Sequence, residues 1–190
     1  FFVVNISSPN TPNLRDLQQT DRLRLLLRQV KAKAEQLEQA GARRKPILLK
    51  VAPDMSDEQM RDVVQVALEE RVNGIVATNT TLSREGLKDA AAARQAGGLS
   101  GRPLAARSTA WIREIRQELR GRLPIIGVGG IFDGDDAYAK IRAGANLVQV
   151  YTGMIYRGPG IARAINKRLL QLLARDGFSS VAQAVGIDAE

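Results

Sequence analysis

The stretch Leu123-Pro124-Ile125-Ile126-Gly127-Val128-Gly129-Gly130 decides the fold class. Its run to Val128 reads as a strand buried on both faces, and it passes directly into two glycines. Glycines right after a strand let backbone amides approach a ligand, because no Cβ blocks the way. The spacing predicts a short helix from Asp133 to Ala143, stopped by Gly144. The next apolar run, Leu147-Val148-Gln149-Val150-Tyr151, ends in a second small turn, Tyr151-Thr152-Gly153. Paired turns after the last two strands, with a short helix behind them, form the usual phosphate cradle of a (β/α)8 barrel. A competing role for this segment requires no ligand: Asp133 caps its own helix.

Upstream, the same unit repeats. Residues 1–6 read as a buried strand, and Leu23, Leu26, Leu27, Val30, Ala34 and Leu37 follow at helical spacing as far as Gly41. Pro46 to Val51 is a second strand, closed by Pro53. Ser56 and Gln59 form a capping box ahead of a helix carrying Met60, Val63, Val64, Ala67 and Leu68 on one face. Gly74 to Thr78 is a third strand. Residues 79–103 are polar, Gly-rich and long for a strand-to-helix connection, which usually takes about two to six residues. Such loops commonly serve as lids or binding loops. Trp111, Ile112, Ile115 and Leu119 mark the next helix; Ile161, Ile165, Leu169 and Leu172 mark the last long one, before a small amphipathic tail.

Five strand–helix units imply a parallel sheet with right-handed crossovers, either doubly wound or part of an eight-stranded barrel. The paired turns favour the barrel, as does the polar or Gly-rich chemistry at every strand end. On that reading the units are strands four to eight. The absence of an initiator Met, and a first residue already inside a strand-like run, lead to the expectation that three strands precede them.

The composition narrows the chemistry. With no Cys and no His among 190 residues, thiolate nucleophiles, Cys- or His-bound metals and imidazole catalysis are excluded. Proton transfer must use Ser, Thr, Tyr, Lys, Asp, Glu or water. The net charge of +8 is spread over helical faces, and 4% aromatics provide no stacking platform, which argues against nucleic acid. No apolar run approaches the roughly 20 residues of a membrane span.

Candidate site residues stand at the strand ends. Val4-Asn5-Ile6-Ser7-Ser8-Pro9-Asn10-Thr11 and Thr78-Asn79-Thr80-Thr81 are uncharged hydrogen-bonding clusters, suited to a planar ligand with amide and imide edges, although each is also an ordinary turn composition. Strand alternation puts Leu48 and Lys50 on one face, with Leu49 and Val51 on the other. A Lys50 facing the barrel mouth needs an anion; otherwise it snorkels to solvent. At about 4 Å and an effective dielectric near 20, an anion gains up to roughly 4 kcal/mol there. Gly97-Gly98-Leu99-Ser100-Gly101 offers further backbone amides.

Taken in order and spacing, these two clusters, Leu49-Lys50-Val51-Ala52-Pro53-Asp54, the Gly97–Gly101 run and Ile126–Gly130 resemble dihydroorotate dehydrogenase, and the likeness runs through essentially the whole chain. That family is a flavin mononucleotide (FMN) (β/α)8 barrel oxidising dihydroorotate to orotate in pyrimidine synthesis. Its catalytic base is Ser in the quinone-linked, membrane-associated class and Cys in the soluble class. Ser8 at that position, in a chain without Cys, is similar to the quinone-linked class 2. The resemblance implies Ser8 as the base. It implies Asn5, Asn10, Asn79 and Thr80 as substrate ligands. For FMN it implies Asn5, Lys50, Thr78, Gly101, Gly130, Tyr151 and Thr152, with Lys50 near flavin N1 and the C2 carbonyl. Because a Ser hydroxyl is a poor base at neutral pH, a relay through Thr11 or a water is expected.

The resemblance further implies that residues 1–190 are the C-terminal part of one FMN-binding barrel domain. The family's first three strands, a substrate-contacting Lys and N-terminal helices for quinone entry are not matched in this sequence. A quinone acceptor and peripheral contact with the inner (cytoplasmic) membrane through such a segment are expected, on a bacterial or mitochondrial protein. An isolated five-stranded part exposes its edges and is expected to fold poorly or lack activity, unless another chain completes it. Two other readings stand beside this one: another FMN-dependent barrel acting on a related ring, and an inactive fragment serving as a binding module.

Overall fold

The computed structural model describes residues 1–87 and 89–189. Five strands form one sheet: β1 Phe2–Asn5, β2 Ile47–Val51, β3 Gly74–Ala77, β4 Ile125–Val128 and β5 Leu147–Gln149. Every pairing is parallel, and the strands lie in the order β1-β2-β3-β4-β5. This order separates the two α/β architectures. A doubly wound sheet reverses its strand order at a switch point, whereas a sheet that never reverses keeps all its right-handed crossovers on one face, as a barrel wall does.

The eight α-helices among the described residues are α1 Thr20–Gln39, α2 Asp57–Glu69, α3 Ala90–Ala93, α4 Ala105–Leu119, α5 Gly134–Arg142, α6 Thr152–Arg157, α7 Ile161–Arg175 and α8 Val181–Ala184. Leu49, Val51, Ile75, Ala77 and Ile125 pack against Leu23 and Leu27 of α1, Met60 and Val63 of α2, and Trp111, Ile112 and Ile115 of α4. Leu48, Val76, Ile126 and Val128 cluster on the opposite, inner face. The central strands β2, β3 and β4 are thus apolar on both faces, as their continuous hydrophobic runs require. The run at residues 1–6, read as a buried strand, is not one: β1 is an edge strand, with Phe2 and Val3 exposed, and Leu147 of the other edge strand β5 is exposed too. Ile161, Ile165, Leu169 and Leu172 of α7 close a second core with Tyr138 and Ile141 of α5.

Local signals act as anticipated at several ends. Ser56 accepts from the Gln59 N–H at 3.2 Å, and Gln59 Oε1 accepts from the Ser56 N–H at 3.0 Å, completing the capping box. At the opposite end of the sheet from the strand-end loops, Asn73 and Asn146 play one role: their side-chain carbonyls accept from the N–H groups that open β2 and β4, at 2.8 and 2.9 Å.

The strands are shorter than the apolar runs. β5 stops at Gln149 because its partner Val128 is the last residue of β4, after which Gly129 turns away at φ +123°. Val150 and Tyr151 therefore have no ladder to join. Beyond them lies α6, which Tyr151-Thr152-Gly153 did not announce; six residues are too few to show a helical period. No described helix is long and apolar enough to cross a membrane.

Candidate active site

The register brings the chemistry together. Asn5 pairs with Lys50 and Lys50 with Val76, so Asn5 and Lys50 share the inner face at the C-terminal strand ends. There a cleft of about 240 Å3 is lined by Lys50, Thr78, Asn79 and Thr80 on one side. Ser100, Gly101, Gly129, Gly130, Tyr151 and Thr152 line the other. Lys50 is half-buried with no hydrogen bond or ion pair among the described residues, and burial holds its ammonium pKa below the usual lysine range. A partly desolvated cation without a partner favours an anion or a developing negative charge.

Asn5 ends β1, and Ser8 and Asn10 lie on the loop after it, beside the cleft; hydrogen bonds tie that loop to the cleft. Asn79 Nδ2 donates to Asn5 Oδ1 at 3.2 Å and to Ser7 Oγ at 3.0 Å, while Ser7 Oγ donates to Asn5 Oδ1 at 2.8 Å. Asn79 Oδ1 accepts from the Thr80 N–H at 2.8 Å. Asn10 Oδ1 accepts from the Gly98 N–H at 3.0 Å, which draws the 97–101 loop onto the same cluster. These bonds consume the Asn acceptors and leave the Nδ2 donors of Asn5 and Asn10 unpaired among the described residues. Ser8 Oγ accepts from the Asn10 N–H at 3.2 Å. No bond joins it to Thr11, which is exposed, so Thr11 is not placed as its relay.

Two charged residues that the sequence reading gave no role hold the loops in place. Arg15 donates to the Ser7 carbonyl at 3.3 Å, the Thr80 carbonyl at 3.2 Å and Asp54 Oδ2 at 3.0 Å. Asp54 also accepts from Thr81 Oγ1 and, at 2.9 Å, from the Leu82 N–H. One Arg–Asp pair thus joins the loops after β1, β2 and β3. The available signal was a lone carboxylate directly after a strand-ending proline.

The glycines form the other end. A Cβ on Gly130 would stand 2.6 Å from Ala105 Cα and 2.8 Å from Ala105 N, and Gly130 has φ +72°. Only glycine fits where the turn after β4 meets the first residue of α4. Gly101, at φ +83°, lies against Thr152, and Thr152 Oγ1 donates to Ser100 Oγ at 2.8 Å. Tyr151 contributes its backbone to this turn while its ring is exposed. The alternatives for Asp133 are decided in favour of the cap: its Oδ1 accepts from the Asp136 N–H at 2.9 Å. The α5 N-terminus is capped from within the chain, and α4 is the helix that abuts the glycine pair.

The family model for dihydroorotate dehydrogenase matches residues 1–173. A dihydroorotate dehydrogenase (quinone) of Anaeromyxobacter sp. (strain Fw109-5) is 55% identical over 190 residues, covering 100% of this chain and 51% of that protein. One of Deinococcus deserti is 54% identical over 189 residues, covering 99% and 52%. Among solved structures, that of DHODH from Eimeria tenella in complex with ferulenol superposes with a TM-score of 0.93 at 42% identity, covering 98% of this chain and 54% of that one. The ligand-free form from the same organism gives 0.93 at 41%, covering 100% and 56%. The chain spans about half the length of the curated relatives it matches. With its never-reversing parallel sheet, amide clusters and glycine cradle at the strand ends, the chain belongs to the dihydroorotate dehydrogenase family.

Proposed function

We propose that this chain carries the catalytic face of a quinone-linked dihydroorotate dehydrogenase, in which dihydroorotate is oxidised to orotate with FMN as the resident cofactor. The observation that carries the reading is the unpaired, half-buried Lys50 on the same inner face as Asn5, between an uncharged amide cluster and a glycine cradle. The donor set fits the cofactor: Gly101 and Gly130 line the cleft with bare backbone, and Lys50 lacks an anion. When bound, the flavin accepts the hydride that leaves C6 of the substrate.

The chain's own residues do the rest. Ser8 Oγ takes the proton from C5 as its own hydroxyl proton passes to water. Asn5, Asn10, Asn79 and Thr80 hold the pyrimidine and its carboxylate, the free Nδ2 donors of Asn5 and Asn10 meeting its carbonyl oxygens. Lys50 would hold the N1 and C2 carbonyl edge of the flavin, supplying a cation where negative charge collects on reduction, and Asn5 and Thr78 would hold the same ring. Gly101, Gly130, Tyr151 and Thr152 offer backbone amides and a hydroxyl to the phosphate. The names of the relatives support a quinone as the final electron acceptor; a peripheral contact at the inner membrane and a place in pyrimidine synthesis are parts of the same proposal.

The test is Ser8→Ala in the full-length protein. FMN should remain bound while bleaching of its absorbance by dihydroorotate slows by about 10²–10⁴-fold, the usual contribution of a positioned base. A near-normal bleaching rate removes Ser8 from the mechanism. Wild-type flavin that dihydroorotate leaves oxidised removes the substrate assignment.

A further inference from the structure

Lys140, on α5, is 1% exposed and has no carboxylate within salt-bridge distance among the described residues. Its Nζ donates to Ser108 Oγ at 3.1 Å, Thr109 Oγ1 at 3.0 Å and the Ala105 carbonyl at 3.5 Å, all in the opening turns of α4. Those three acceptors satisfy its hydrogens and leave its charge unexplained. The start of a helix is its positive end, so a buried ammonium there is doubly unfavourable. Among the described residues the one carboxylate that acts on Lys140 is Asp136 on its own helix, and Asp136 is engaged elsewhere. Arg102 contacts it at 3.1 Å and the Phe132 N–H donates to it at 2.8 Å, while Arg102 also reaches Asp133 at 3.6 Å. β4 carries no charged residue, and the first turn of α4 carries only Arg107.

Such a charge fits an anion that the chain itself does not supply. Ser108 Oγ, 3.1 Å from the ammonium, is also 3.0 Å from where a Cβ on Gly129 would stand. Ala105 offers its carbonyl to the ammonium, and its N lies 2.8 Å from where a Cβ on Gly130 would stand. One residue therefore separates Lys140 from each cradle glycine. We propose that Lys140 is a specificity-determining residue for the phosphate: its buried ammonium, one side chain beneath Gly129-Gly130, makes the cleft prefer a phosphorylated flavin to the same flavin without its phosphate. The proposal rests on the reading of this end of the cleft as a phosphate cradle. Burial draws the Lys140 pKa down to about 8, and a nearby dianion would oppose that shift.

The test compares FMN with riboflavin, which lacks only the phosphate, by flavin fluorescence on the full-length protein after its flavin is removed. Lys140→Met keeps the length and removes the charge; Lys140→Gln removes the charge and keeps a donor. Both variants should bind FMN at least tenfold more weakly and riboflavin within about twofold of wild type. Equal weakening of both ligands, or a Gln variant indistinguishable from wild type, overturns the proposal and leaves Lys140 a neutral tether. A wild type without preference for FMN overturns the cradle reading itself, and the proposal with it. Should both variants fail to fold, the wild-type Lys140 ammonium is titrated by NMR. FMN must raise its midpoint more than riboflavin does; equal shifts overturn the proposal.

Discussion

Replacing Gly130 by Ala tests the cradle from the folded chain outward. The added methyl carbon stands 2.6 Å from Ala105 Cα and 2.8 Å from Ala105 N, atoms of backbone that cannot rotate aside. Two costs apply. A left-handed conformation in a residue with a Cβ costs about 1–2 kcal/mol, and overpacking against a fixed neighbour costs about 1–3 kcal/mol more. Gly177 isolates the second. It has φ +77°, close to the +72° of Gly130, and ends α7 in a left-handed turn in which the Phe178 N–H donates to the Leu173 carbonyl; nothing lies within 4 Å of its Cβ position, so Gly177→Ala bears the conformational cost alone. The variants should therefore differ by about 1–3 kcal/mol, or roughly 1–6 °C in melting temperature for a protein about twice the length of this chain. Because the clash lifts the turn after β4 away from α4, FMN affinity should fall about tenfold or more in Gly130→Ala and stay unchanged in Gly177→Ala. Differential scanning fluorimetry and flavin fluorescence on the full-length protein measure both. Equal melting shifts, or unaltered FMN binding in Gly130→Ala, would refute the cradle geometry.

Lys50→Met should leave the protein folded and slow flavin reduction by dihydroorotate between tenfold and a thousandfold. The attraction lost at about 4 Å is at most roughly 4 kcal/mol, and an unchanged stopped-flow rate would show that Lys50 faces no developing charge. Asp54→Asn weakens the acceptor shared by Arg15, Thr81 and the Leu82 N–H; urea unfolding should report a loss of about 1–3 kcal/mol, and turnover should fall because the Ser7 and Thr80 carbonyls lose their common anchor. Asp176 gives a pH signature. The Arg175 guanidinium, then Tyr138 and Arg142, hold its carboxyl down to about 2. A depressed folded-state pKa contributes stability above the ordinary carboxylate range that disappears as pH falls toward 2. Asp176→Asn should therefore flatten the wild-type decline in melting temperature between about pH 4 and 2; parallel curves would show that the cluster is not coupled to folding.

By itself the sequence determined the periodicities. Continuous apolar runs specified the central strands buried on both faces, the Ser56–Gln59 pair specified where α2 begins, and the turn chemistry after each run specified where the strands stop. These are local properties of hydrophobic pattern and capping chemistry, and they are written along the chain. Tertiary structure decided what depends on a partner distant in sequence. The end of β5 was set by where β4 runs out, not by its own apolar residues. Asp133 became a cap because Asp136 turns its N–H toward it, and α4 rather than α5 then met the glycine pair. Arg15 and Asp54 stand 39 residues apart, and Lys140 is 32 from the hydroxyl of Ser108 that it meets. In a one-dimensional pattern each is an ordinary polar residue on a loop or helix. Their roles come from burial, which strips water from a charge and makes its nearest partner, or the lack of one, decisive.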